Sequence, residues 1–137
     1  MLQRIQTVWL FLAAIAIAIT LYFNVYKLAD DTSVNLQSNY IAIVLVGISA
    51  ILSLIALFNF KKRKAQLSMI WANILVIIGL LAWMFYSIEL LKVDINETGG
   101  MYAFGAFVPL VALVFLFLAR SGIKKDVKLL KAYDRLR

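Results

Sequence analysis

The sequence predicts an all-α membrane protein: an antiparallel bundle of four transmembrane helices followed by a C-terminal cytoplasmic amphipathic helix. Three observations predict it. Of 137 residues, 64% are apolar and 15% charged, with a mean hydropathy of +0.93; a soluble domain holds roughly 45–50% apolar and about 25% charged residues. Four long stretches carry no charge at all. Basic residues gather where those stretches would leave one side of a bilayer.

The charge-free stretches cover residues 5–26, 40–60, 67–88 and 101–119, which is 22, 21, 22 and 19 residues. At about 1.5 Å per residue they span roughly 28–33 Å, the thickness of the hydrocarbon core. Lipid offers the backbone no hydrogen-bond partner, so each stretch is expected to be helical. The first follows a short basic start and could be read as a cleaved leader. An apolar leader region runs roughly 7–15 residues, so this longer stretch is expected to stay as an anchor. Residues 1–119 then form the transmembrane domain and 120–137 a basic tail.

Lysine and arginine set the orientation. Arg4, Lys61, Lys62, Arg63, Lys64 and the residues from Arg120 onward place twelve cations on one side against two, Lys27 and Lys92, on the other. Both termini are therefore expected in the cytoplasm. The net charge of +7 reads as a topology signal, and no nucleic-acid partner is expected. Tyr22, Tyr26, Tyr40, Tyr86 and Tyr102 fall at the outer ends of the spans, where a ring can be buried while its hydroxyl stays wet. Trp71 marks the inner interface.

Small residues are expected to form the helix contacts, because lipid leaves no hydrophobic gain between helices. The candidates are Thr7, Ala14 and Ala18; Ala42, Ser49, Ser53 and Ala56; Ala72 and Gly79; and Gly105, Ala112 and Ala119. Pro109, with Gly105 four residues earlier, is expected to kink the fourth helix as a packing bend. Residues 33–37 and 92–96 alternate polar with apolar side chains, and they are expected to pair as a small β-ribbon. Asn96, Glu97 and Thr98 match the N-x-T acceptor pattern, a weak three-residue signal.

The chemistry is bounded by what is missing. The chain has no cysteine and no histidine, which excludes disulfides, thiolate nucleophiles, Cys/His metal sites and imidazole acid–base chemistry. No ionisable residue lies within a span, so proton-coupled transport lacks its group at depth. Thr20, Ser49, Ser53 and Asn73 are the deep polar side chains and read as interhelical or backbone hydrogen bonds. Glu89, Asp94 and Glu97 in the second outer loop match no metal-site spacing. No cofactor, metal or catalytic residue is expected.

The tail carries the candidate binding surface. Ile123, Val127, Leu129, Leu130, Tyr133 and Leu136 fall on one arc of a helical wheel, and Lys124, Lys125, Lys128, Lys131 and Arg135 on the other. Such a helix suits anionic headgroups of the inner leaflet or a docking partner, with Lys124, Lys125, Lys128, Lys131, Arg135, Leu130 and Tyr133 as the contact residues. Asp134 is spaced to pair with Lys131 or Arg137.

Met1-Leu2-Gln3-Arg4-Ile5-Gln6-Thr7-Val8 resembles the opening of a Bacteroidetes family of small four-helix inner-membrane proteins of unknown function. The closing segments Lys124-Lys125-Asp126-Val127-Lys128-Leu129-Leu130 and Asp134-Arg135-Leu136-Arg137 resemble that family's charged end. The resemblance implies a bacterial inner membrane and carries over no activity. The functional expectation is a non-catalytic accessory or assembly subunit, with other membrane subunits as partners. A small-solute channel or transporter formed by oligomerisation, and a regulator recruiting a cytoplasmic partner through its tail, are the alternatives.

Overall fold

The computed structural model describes residues 2–96 and 98–136, with side chains from Arg4 onward. Met1, Glu97 and Arg137 lie outside the described residues. The Glu97 carboxylate, its N-x-T pattern and the Asp134–Arg137 pairing therefore have no structural counterpart here. The order of elements is α1 (Leu2–Ile19), β1 (Asn24–Lys27), β2 (Ser33–Asn35), α2 (Tyr40–Phe58), α3 (Arg63–Asp94), β3 (Met101–Tyr102) and α4 (Val108–Arg135).

The chain is mainly helical, and the four helices close around one core. Each helix packs on two neighbours: α1 on α2 and α4, α3 on α2 and α4. The core runs from Val25, Tyr26 and Leu36 at one end, through Leu10, Ile17, Ile77, Leu80 and Met84, to Leu116 and Ile123 at the other. Outside it, large apolar side chains such as Val44, Ile51, Leu75 and Phe117 lie exposed on the helix faces. By length and composition α2, α3 and α4 are long and apolar enough to cross a membrane, whereas the apolar stretch of α1, Arg4–Ile19, is shorter.

Two expected spans are shorter as helices than as charge-free stretches. The stretch 5–26 stays helical only to Ile19. The Thr20 hydroxyl donates back to the Ala16 carbonyl at 3.1 Å, and the chain then turns into β1. Residues 22–26 are aromatic, amide or β-branched, types that suit a pleated, half-buried surface better than a helix. The stretch 101–119 likewise starts as β3 and a tight 3-10 turn at Phe104–Ala106, and helix begins only at Val108.

Pro109 therefore does not kink a helix. It occupies the first turn of α4, where its missing N–H would have had no partner and its fixed φ suits helix entry. Gly105 is buried, but in the 3-10 turn and not on a helix. A Cβ there would stand 2.5 Å from the Asn24 carbonyl oxygen and 2.9 Å from that of Phe23. The glycine lets two backbones touch.

The strands form a three-stranded antiparallel sheet in the order β2-β1-β3. Tyr26 sits in its middle, paired with Val34 on one side and Tyr102 on the other. The expected ribbon is half right. Residues 33–35 are a strand, but their partner is β1; residues 92–94 continue α3, and Asn96 takes a positive φ of 51°. Lys92 instead reaches over the sheet, its ammonium 5.2 Å from the Tyr26 ring and 5.1 Å from the Tyr102 ring. It also bonds Glu89 at 2.7 Å, and Glu89 accepts from the Tyr102 hydroxyl at 3.3 Å.

Helix packing follows the small-residue expectation on α2 and within α4. Ala42, Ser49, Ser53 and Ala56 are buried, as are Ala112 and Ala119. It fails on α3, and on α1 it holds only in part, with Thr7 and Ala14 half-buried. Ala72 and Gly79 face outward, while Ile70, Ile74, Ile77, Leu80, Met84 and Ile88 make the buried face of α3. On α1 the buried residues are Gln6, Leu10, Ala13, Ala16 and Ile17, with Ala18 exposed. A buried clasp joins α2 to α3: Ser49 Oγ donates to Asn73 Oδ1 at 2.5 Å, and Asn73 Nδ2 donates to Ser53 Oγ at 2.6 Å.

Candidate functional site at the basic end

The end opposite the sheet gathers most of the positive charge. It is built where α2 stops. The Asn59 N–H and its side-chain amide both donate to the Ile55 carbonyl, at 3.0 and 2.9 Å, and the amide also lies 3.6 Å from Met69 Sδ. This closes the helix in its last turn, and Lys62 N–H donates to Asn59 O at 3.0 Å to tighten the reversal. Lys61, Lys62 and Lys64 are left exposed on the turn and the start of α3.

The first residue of α3 fixes that turn to α4. Arg63 Nη2 lies 3.4 Å from Asp126 Oδ2, with both side chains largely buried. One level further in, the Arg120 guanidinium lies 4.2 Å from the centre of the Trp71 ring, a geometry in which the ring face attracts the cation. Gln6 of α1 is buried and meets α4 at Gly122, where a Cβ would come within 3.0 Å of its Cγ. Three donors here, Gln6 Nε2, Arg63 Nη1 and Arg120 Nε, are buried without an acceptor among the described residues.

The tail is not a separate element. α4 runs without interruption through residue 119 to Arg135, so the segment expected to lie on a surface continues the axis of the last helix. Ile123 is buried and Val127 half-buried, and every described residue from Lys128 to Leu136 is exposed. Of the candidate contact residues, Lys124, Lys125, Lys128, Lys131, Arg135, Leu130 and Tyr133 are all exposed. Leu130 and Lys131 turn toward the α2–α3 reversal and line a cavity of about 600 Å³ with it. Lys124, Lys125, Lys128 and Arg135 do not line it.

This cavity brings together two segments that sequence reasoning kept apart. The Lys61-Lys62-Arg63-Lys64 run had served only to orient the chain, and nothing local in it points to residues 127–134. The arrangement sets cations beside the apolar side chains of Phe60, Val127 and Leu130, of which Phe60 and Leu130 are exposed. It can bind an anion. Among the described residues no group of three His, Cys, Asp or Glu side chains is placed to hold a metal ion.

No curated protein and no solved structure matches this chain. The family described as "Domain of unknown function (DUF4293)" matches residues 2–136, nearly the whole sequence, in keeping with the resemblance to a family of unknown function. The chain belongs to that family.

Proposed function

We propose that this protein is a non-catalytic, four-pass integral membrane protein that serves as an accessory or assembly subunit of a larger inner-membrane complex. The observation that carries the reading is the closed interior. Between the Asn73 clasp and the sheet, the core is filled by side chains such as Ile77, Leu80 and Met84, and no charged residue lies in stretches 5–26, 40–60, 67–88 and 101–119. That leaves lateral faces and ends as the working surfaces. Exposed apolar side chains around the helices suit lipid and neighbouring subunits.

An antiparallel arrangement is supported by matching registers. Trp9 stacks on Phe115 while Gln6 meets Gly122; Arg63 pairs with Asp126 while Trp71 meets Arg120. The twelve-to-two distribution of cations supports cytoplasmic termini. α1 spans about 27 Å as a helix, slightly less than a hydrocarbon core, and the sheet extends its reach.

Extraction of the native protein in mild detergent followed by native mass spectrometry tests the proposal. A stable heteromeric assembly is the expected result. A lone monomer overturns it, and a homo-oligomer replaces it with the channel reading. The exposed segment from Lys128 to Leu136 favours one second reading, a regulator that recruits a cytoplasmic partner. Loss of a co-purifying soluble protein on deleting residues 128–137 would identify it.

A further inference from the structure

We infer that the cavity between the α2–α3 reversal and the tail of α4 is a specific binding site for the phosphate of an anionic phospholipid. Five cations line it, Lys61, Lys62, Arg63, Lys64 and Lys131, against the single carboxylate Asp134. Arg63 is partly neutralised by Asp126, and its Nη1 is buried with no acceptor among the described residues, so the lysines carry most of the charge that faces the cavity. Lys61, Lys62, Lys64 and Lys131 are exposed and supply mobile point charges suited to phosphate oxygens.

The start of α3 adds to this field. Its N-cap residue, Lys62, makes no side-chain capping bond, and the first turn contains no acidic residue. The free N–H groups and the positive end of a 32-residue helix therefore point toward the same cations. A volume of about 600 Å³ is sufficient for a phosphoglycerol headgroup, within the roughly 300–1,000 Å³ of small-ligand sites.

Depth and lining select a lipid over a free phosphate. Arg63 lies four residues, about 6 Å along the helix, before Leu67, where the charge-free segment begins. The headgroup layer is itself roughly 5–7 Å thick on each side. Phe60, Val127 and Leu130 in the cavity lining are apolar, which suits the glycerol backbone and first methylenes of a lipid and wastes contact area on an inorganic ion. Basic pockets between helices at this level hold anionic headgroups in other membrane proteins. The site rests on the membrane reading above.

The test uses the full-length protein purified in neutral detergent, offered an equimolar mixture of phosphatidylglycerol and phosphatidylcholine, with bound lipid read by native mass spectrometry. One phosphatidylglycerol per chain is expected, preferred about tenfold over phosphatidylcholine, a difference of about 1.4 kcal/mol. Millimolar inorganic phosphate should not displace it. The variant K61Q/K62Q/K64Q/K131Q should lose that preference with unchanged thermal unfolding in lipid-free detergent. The variant K124Q/K125Q/K128Q/R135Q removes the same charge from the other arc and should keep it.

Equal loss in both variants would overturn the pocket in favour of diffuse attraction along the tail. Displacement by inorganic phosphate would overturn the lipid assignment, as would equal retention of phosphatidylcholine. Should the lipid-free pocket variant unfold early, K61Q/K62Q alone is expected to halve the preference or more, and an unaltered preference there counts against the site. Recovery of the wild-type chain from the soluble fraction would instead defeat the membrane reading itself.

Discussion

Ser49 Oγ donates to Asn73 Oδ1 across the α2–α3 contact at 2.5 Å, and both side chains are buried. Asn73 also donates to Ser53, so one amide holds two hydroxyls. Asn73→Ala removes both bonds and is expected to cost about 1–2 kcal/mol, since interhelical hydrogen bonds in membranes contribute up to ~1.7 kcal/mol each. Ser49→Ala leaves the Ser53 bond in place and should cost less. Thermal unfolding in detergent, run for both variants and the double variant, reads the difference. Equal effects would show that the amide acts through one hydroxyl alone.

Gly105 bears on the backbone of β1, whereas a Cβ at Gly47 or Gly79 would meet nothing within 4 Å beyond the backbone of its own helix. Gly105→Ala should therefore loosen the sheet end, visible as faster proteolysis of the segment between α1 and α2. Gly47→Ala and Gly79→Ala should be neutral or stabilising by up to ~1 kcal/mol, because alanine is the better helix former. A harmless Gly105→Ala would mean the turn and strand can part at no cost.

The Arg63–Asp126 pair ties the head of α3 to the tail of α4. Asp126→Asn is expected to lower stability by about 1 kcal/mol, the upper range for pairs with some solvent access. The exchange R63D/D126R should recover much of that loss. Failure of the exchange to rescue, with both single variants destabilised, would assign the effect to packing of the guanidinium stem.

Orientation is open to a direct check because the chain contains no cysteine of its own. Asp31→Cys at the sheet end should react with a membrane-impermeant maleimide on intact cells. Lys128→Cys should react only after permeabilisation. The opposite pattern would reverse the topology that the charge distribution predicts.

The parts legible in the sequence are those where one signal acts alone. α2 matches its charge-free stretch within two residues, with Asn39 at its start accepting the Ile41 N–H at 3.2 Å. α1 and α4 were overextended because absence of charge does not distinguish helix from a buried strand. Tyr22, Phe23, Val25 and Tyr26 are apolar enough for either, and only pairing with residues 33–35 and 101–102 decides between them. Proline at a helix start was readable as a first-turn residue; an assumed span through residue 101 hid it. On α3 the small residues Ala72 and Gly79 faced outward because branched side chains fill the core there. The basic cavity was illegible for a different reason. Its two halves are separated by nearly all of α3 and most of α4, and no local pattern records that they meet.

β1 is the central strand of the sheet, and its two neighbours arrive at very different times. β2 follows within a few residues, but β3 leaves the ribosome only after α2 and α3 have been made. Until then one edge of β1 stays open, with Tyr26 lacking Tyr102. A chain stalled after its third helix thus displays an unpaired strand edge, a recognised point of attack for proteases and mispairing. Pairing with β3, which precedes α4 in the chain, covers that edge and leaves Tyr26 between two strands.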